Sequence, residues 1–174
     1  GRRILGGDIA NLSIGQGDVL VTPLQMAQSM AIVANGGTFY QTRLVEQVQT
    51  VSNEIVAAYS VRAKKTIDAS ALTMQQVKTA MVDAVNAPAG TAHQASLDNV
   101  SVAGKTGTAQ WGPKEKERTA AWFAGVVAAE KPPYLFAALY EGRLWSRAPG
   151  GSATAPVVGR HFRVLSRQSR GHAY

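Results

Sequence analysis

Cysteine is absent from the 174 residues, so the chain has neither a disulfide framework nor a thiolate metal site, and its redox compartment is not written in the sequence. The three histidines, His93, His161 and His172, are scattered without metal-ligand spacing, and no metal centre is expected. No apolar run approaches the ~18 residues of a membrane span, and no signal-like segment opens the chain. Taken alone, the chain is expected to be soluble. Acidic residues are few, 11 against 18 lysines and arginines, for a formal charge of +7. That surplus permits an anionic partner without choosing one. The basic residues are dispersed and lack interleaved aromatics, so a nucleic-acid-binding module is not expected. Two phosphate motifs are also excluded by spacing. A P-loop ending at Gly104-Lys105-Thr106 requires a glycine where Asn99 stands, and a dinucleotide fingerprint beginning at Gly15-Gln16-Gly17 requires one where Leu20 stands.

What is present is an ordinary globular composition, 45% hydrophobic and 17% charged, in a length that suits one domain with a sizeable core. The chain is organised around Val100 to Gln110, an alternating run with β-branched Val100 and Val102 that reads as a half-buried strand. Lys105, Thr106, Gly107 and Thr108 fall together at its functional end. Lys105 offers a point charge with three donors, suited to a carboxylate or phosphate. The Thr106 hydroxyl both donates and accepts. Gly107, without a Cβ, lets a ligand or another backbone lie flat on the strand. If the strand is a sheet edge, its free N–H and C=O groups can pair with an extended peptide, and a carboxylate-ended peptide is the natural guest. The plainer alternative is a surface strand whose lysine is a solubilising edge charge.

Around this strand the remaining elements are read from pattern. Two glycines flank Gln16 in a turn that lies close to other backbone. Thr22 caps a helix with Pro23 at its first position, Gln25 completing a Thr-x-x-Gln capping box and Asn35-Gly36 ending it. Its apolar residues cover nearly every face, which predicts burial. Phe39-Tyr40 and Arg43 to Val51 read as extended, with Ile55 to Tyr59 as the returning strand of a hairpin across Ser52-Asn53-Glu54, and Lys64-Lys65 as a solvated pair. Asp68 or Ser70 caps a helix running to about Asn86, with Val77, Ala80, Met81 and Ala84 as its core stripe. Pro88-Ala89-Gly90 breaks that helix, and Thr91 to Ala95 reads as one more helical turn.

Beyond the motif, Gln110 to Arg118 reads as a loop or hairpin tip, and Thr119 to Val127 and Tyr134 to Tyr140 as antiparallel strands joined across Glu130-Lys131-Pro132-Pro133, completing a three-strand meander. Glu141 to Ala153 reads as a loop. Thr154 caps a last helix near Pro156 that lays Val158, Phe162 and Leu165 on the sheet. Arg160, Arg163, Arg167 and Arg170 then favour the negative end of the helix dipole over an anionic surface.

Gly104 to Gln110 resembles the Lys-Thr-Gly motif of the penicillin-binding proteins, acyl-serine D,D-transpeptidases that cross-link peptidoglycan. The resemblance extends to Ser13-Ile14-Gly15-Gln16-Gly17-Asp18, Thr22-Pro23-Leu24-Gln25-Met26-Ala27, Ala34-Asn35-Gly36-Gly37 and Ala121-Trp122-Phe123-Ala124-Gly125. From about Asn11 to Leu165 the landmarks keep the order of class B enzymes, with the Ile-Gly-Gln-Gly wording nearest the elongation-type penicillin-binding protein 2. One departure is plain. The family's nucleophile lies in Ser-x-x-Lys, and Ser13, Ser29, Ser96 and Ser101 are followed three residues on by Gln16, Ile32, Asn99 and Gly104; Ser-x-Asn is absent as well.

The resemblance therefore implies that residues 1–174 are the C-terminal portion of a single transpeptidase domain. It carries the binding strand without the nucleophile. The implied fold is α/β (α+β), an antiparallel sheet with helices on both faces, as in the penicillin-binding protein/serine β-lactamase group. By the same implication, Lys105 and Thr106 bind the terminal carboxylate of a D-Ala-D-Ala stem peptide and Thr106 also serves the proton relay. Gly107 permits close approach, and Thr108 lends its backbone N–H to the oxyanion hole. No cofactor is implied. The implied partners are the peptidoglycan stem peptide, β-lactams and the missing N-terminal part of the domain. Location would be the extracytoplasmic face of the bacterial membrane, with any membrane contact made through that absent part. A serine β-lactamase-like hydrolase or a non-catalytic β-lactam sensor would share the motif.

Overall fold

Antiparallel pairing accounts for every strand of the computed structural model, which describes residues 3–128, 134–143 and 149–170. Helix α1 (Gly6–Ser13) is followed by the glycine turn and by α2 (Pro23–Ala34). The predicted capping box of α2 is formed: Gln25 N–H donates to Thr22 Oγ1 at 3.2 Å and Thr22 N–H to Gln25 Oε1 at 2.8 Å. Two ribbons come next. Strand β1 (Thr38–Tyr40) pairs with β4 (Ala63–Thr66), and between them β2 (Gln47–Gln49) pairs with β3 (Ile55–Ala58) as the predicted hairpin. Lys64 and Lys65 are exposed but lie within β4, and the Lys64 ammonium stands 5.4 Å from the centroid of the Phe39 ring. The solvated-pair reading missed that strand because its partner is the short β1, well upstream.

Helix α3 (Ala71–Asn86) is capped by Ser70, whose Oγ accepts the Thr73 N–H at 3.0 Å. Its buried residues are Met74, Met81 and Val85, whereas Val77 is exposed. The predicted stripe was thus rotated, and only Met81 of its four members is buried. A single 3₁₀ turn at His93–Ala95 leads to the main sheet, β5 (Val102–Trp111), β6 (Arg118–Val127) and β7 (Tyr134–Glu141), in the order β5-β6-β7. The segment from Gln110 is the tip of the β5–β6 hairpin and is shorter than expected, because Gln110 and Trp111 still pair with Thr119 and Arg118. Helices α4 (Gly150–Ala153) and α5 (Ala155–Arg170) close the chain. The Thr154 hydroxyl does not cap α5; it donates to the Gly150 carbonyl at 2.6 Å. The Glu130-Lys131-Pro132-Pro133 turn, the 144–148 part of the expected loop and the side chains of Arg167 and Arg170 lie outside the described residues. Arg163, expected at its own helix dipole, reaches instead to the Ser96 carbonyl at 3.1 Å.

Strand alternation places helices on both faces of this sheet. On one face Val102 and Phe123 pack with Val85 of α3 and with Ala155 and Val158 of α5. Phe123, Phe136 and Phe162 continue that layer as an aromatic row, with ring centroids 4.9 and 5.6 Å apart. On the other face Ala103 and Val126 meet Met81 of α3 and Met30, Val33 and Ala34 of α2. The expected antiparallel sheet with helices on both faces is the observed architecture. The burial expected of α2 is not observed: none of its residues is buried, and Leu24 is 59% exposed. An apolar circumference measures how much surface needs covering, and the sheet covers only one side of it.

Candidate functional site

β5 lies at one edge of the three-stranded sheet. The N–H and C=O groups of its even-numbered residues point away from β6, because Val102 O, Thr108 O and Gln110 N–H all bond to groups outside the sheet. Asn86 Nδ2 of α3 donates to Val102 O at 2.7 Å and closes the start of the edge. Beyond it, Lys105, Thr106, Gly107 and Thr108 line a cavity of about 860 Å³, whose other walls include Thr91 and Gly150 to Ser152. The four residues singled out from sequence therefore share one concave surface.

Their environments differ. Lys105 is exposed, and its ammonium donates to the edge carbonyl of Thr106 at 2.5 Å. Thr106 is 9% exposed, and its hydroxyl donates to Thr91 Oγ1 at 3.2 Å. Thr108 is exposed, and its Oγ1 accepts the Gly150 N–H at 3.0 Å. Gly150 permits that approach, since a Cβ there would fall 2.4 Å from Gly107 O and 2.6 Å from Trp122 O. Gly151 is held as tightly, with Thr91 O 2.2 Å from the same hypothetical atom. At Gly107 the nearest contact would be an ordinary 3.5 Å, to Trp122 Cβ. Packing within the chain does not require a glycine at 107.

Sequence reasoning missed three participants, Thr91, Gly150 and Gln16. Thr91 and Gly150 belong to stretches read as a helical turn and a loop. Gln16 Nε2 donates to Thr108 O at 3.0 Å across 92 residues of chain; its sequence signals were the turn expected to approach other backbone and its place in the Ile-Gly-Gln-Gly run, neither of which named its partner. Among the described residues no group of three or more His, Cys, Asp or Glu side chains is arranged to hold a metal. No described helix is long and apolar enough to cross a membrane.

A shaped edge strand presenting a cation, two hydroxyls and a glycine to a cavity suits an extended, carboxylate-bearing ligand. Comparison with known proteins identifies the family. Residues 2–163 match the family model described as the penicillin binding protein transpeptidase domain. Penicillin-binding protein H of Bacillus subtilis is 33% identical over 149 residues, covering 77% of this chain and 20% of that protein. The peptidoglycan D,D-transpeptidase MrdA of Haemophilus influenzae is 30% identical over 169 residues, covering 88% of this chain and 25% of that protein. Among solved structures, penicillin-binding protein A from M. tuberculosis, as its penicillin G acyl-enzyme complex, superposes with a TM-score of 0.71 at 26% identity, over 90% of this chain and 35% of that one. The chain thus spans a quarter or less of the length of these two curated relatives. A family model covering nearly the whole chain, met by a matching solved fold, leaves one conclusion: the chain belongs to the transpeptidase domain family of the penicillin-binding proteins.

Proposed function

We propose that this chain is the penicillin-binding, substrate-strand portion of a peptidoglycan D,D-transpeptidase. That enzyme cross-links cell-wall peptides through an acyl-serine intermediate, with the nucleophilic serine supplied by a part of the domain outside this chain. The observation that supports this reading is the edge of β5, where Lys105, Thr106, Gly107 and Thr108 line one cavity. A stem peptide ending in D-Ala-D-Ala adds to the edge as an extended strand and lies flat on Gly107. Its terminal carboxylate draws the Lys105 ammonium off the Thr106 carbonyl, and the Thr106 hydroxyl, held by Thr91, bonds the same carboxylate and serves the proton relay. The Thr108 N–H then faces the scissile carbonyl oxygen.

Attack by the serine oxygen makes a tetrahedral oxyanion, and the Thr108 N–H stabilises it as one half of an oxyanion hole. Such a donor contributes about 3 kcal/mol to the transition state. Collapse expels D-alanine, and an amine of a neighbouring peptide takes the acyl group from the serine. β-Lactams enter by the same acylation step. The reaction is placed at the extracytoplasmic face of the bacterial membrane, where stem peptides are cross-linked.

Intact-mass measurement after incubation with benzylpenicillin tests the division of labour. The expected result is no adduct on this chain alone and a stoichiometric adduct on the complete domain. A stoichiometric adduct on this chain alone overturns the assignment of the nucleophile to another part, and no adduct on the complete domain overturns the transpeptidase reading.

A further inference from the structure

Gln16 lies outside the motif, yet its carboxamide takes two backbone groups of β5. Nε2 donates to Thr108 O at 3.0 Å, and Oε1 accepts the Gln110 N–H at 3.4 Å. A carbonyl and the N–H two residues on are the pair that one residue of a parallel neighbouring strand would engage. The side chain therefore stands in for a strand at this point of the edge.

Local structure fixes where that amide sits. Helix α1 stops in a Schellman pattern, with Gln16 N–H donating to Asn11 O at 2.9 Å and Gly15 N–H to Leu12 O at 3.0 Å. Gly15 (φ 74°) and Gly17 (φ 99°) both occupy the left-handed region that glycine enters without penalty. Gln16 is thus the sixth residue of a closed loop, half-buried, and its reach toward β5 is set by the helix stop. Thr108 is gripped from two directions, by Gln16 at its carbonyl and by the Gly150 N–H at its hydroxyl. The Thr108 N–H points to the same edge as its carbonyl, and among the described residues nothing is bonded to it.

We infer that Gln16 is a positioning residue for the oxyanion donor: by occupying Thr108 O and Gln110 N–H it holds the Thr108 N–H aimed into the cavity and ends the stretch of edge open to a peptide. The inference rests on the reading of Thr108 given above and adds the residue that orients it.

The test uses the complete transpeptidase domain with Gln16→Met, which keeps the length and removes both hydrogen bonds, and Gln16→Glu, which keeps only the acceptor. Stopped-flow acylation by a fluorescent penicillin separates the dissociation constant of the first complex from the rate of acylation. For both variants the expected result is an unchanged dissociation constant with acylation roughly 10-fold slower, short of the ~10²-fold or more lost when an oxyanion donor is removed. Hydrogen exchange supplies a readout independent of chemistry: in Gln16→Met the Gln110 amide, which Gln16 accepts from, exchanges roughly 10-fold faster, and the amides of β7 do not change. Wild-type acylation together with wild-type exchange in Gln16→Met overturns the inference. A change confined to the dissociation constant also overturns it, making Gln16 a ligand contact. If the wild-type domain is not acylated at all, the transpeptidase reading and the oxyanion role fall together, and the Gln16 bridge is then decided by exchange alone.

Discussion

Gly104 and Gly107 stand three positions apart on β5 and answer to different constraints. A Cβ at Gly104 would fall 2.7 Å from Cε2 of the fully buried Phe123, whereas one at Gly107 meets nothing closer than 3.5 Å. Gly104→Ala is therefore expected to cost about 1–3 kcal/mol as overpacking, and Gly107→Ala to leave the melting temperature near that of the wild type while slowing penicillin acylation of the complete domain. A melting scan beside an acylation time course checks both, and a large stability loss in Gly107→Ala would return that glycine to packing. Lys105→Ala is expected to stay within about 0.5 kcal/mol of wild-type stability, as exposed substitutions do, while acylation falls. A drop in melting temperature at an unchanged acylation rate would make the lysine structural. At this scale the grouping was legible where the residues are contiguous, since Lys105 to Thr108 were read together from one strand and line one cavity. Gln16 and Gly150 were not, because the partner each one meets lies 92 and 42 residues away.

Elements show the same division between local chemistry and tertiary choice. The α2 cap was readable because Thr22 and Gln25 meet across one turn, and both bonds of the box are present. Thr22→Ala is expected to cost about 1 kcal/mol, measured as a shift in the urea midpoint at constant slope. The buried face of α3 was not readable, because Val77-Ala80-Met81-Ala84 and Met74-Met81-Val85 are both apolar stripes at helical spacing. What selects the second is the position of β5, against which Val85 packs beside Val102 and Met81 beside Ala103. The aromatic row from β6 through β7 to α5 joins one sheet face to the last helix. Phe123→Ala removes its first ring and is expected to cost about 3–5 kcal/mol. Denaturant unfolding checks this, and a loss under about 1 kcal/mol would mean that the layer closes over the gap.

For the whole molecule, the main sheet was legible because its strands alternate and lie next to one another in the chain. Of the ribbon of β1 and β4 only Phe39-Tyr40 was read as extended; its pairing was not, since the strands are short, β4 is exposed and another hairpin separates them in sequence. Apolar surface is left open around α1 and α2: Ile14 is 74% exposed, Leu20 92% and Leu24 59%. Contiguous apolar patches beyond a few hundred Å² are unusual on monomers, so the isolated chain is expected to self-associate or to bind ANS, and the rest of the domain to suppress both. Light scattering and ANS fluorescence decide, with a monomeric, ANS-silent chain the contrary result. The framing of the β5 edge has a further consequence, for colloidal behaviour rather than catalysis. An open edge strand is a template for any extended chain, including another copy of itself. Asn86 and Gln16 shorten the template to the stretch from Gly104 to Thr108, about 17 Å at ~3.4 Å per residue, and Lys105 places a charge within it. A frame this short therefore offers a fibril little starting strand.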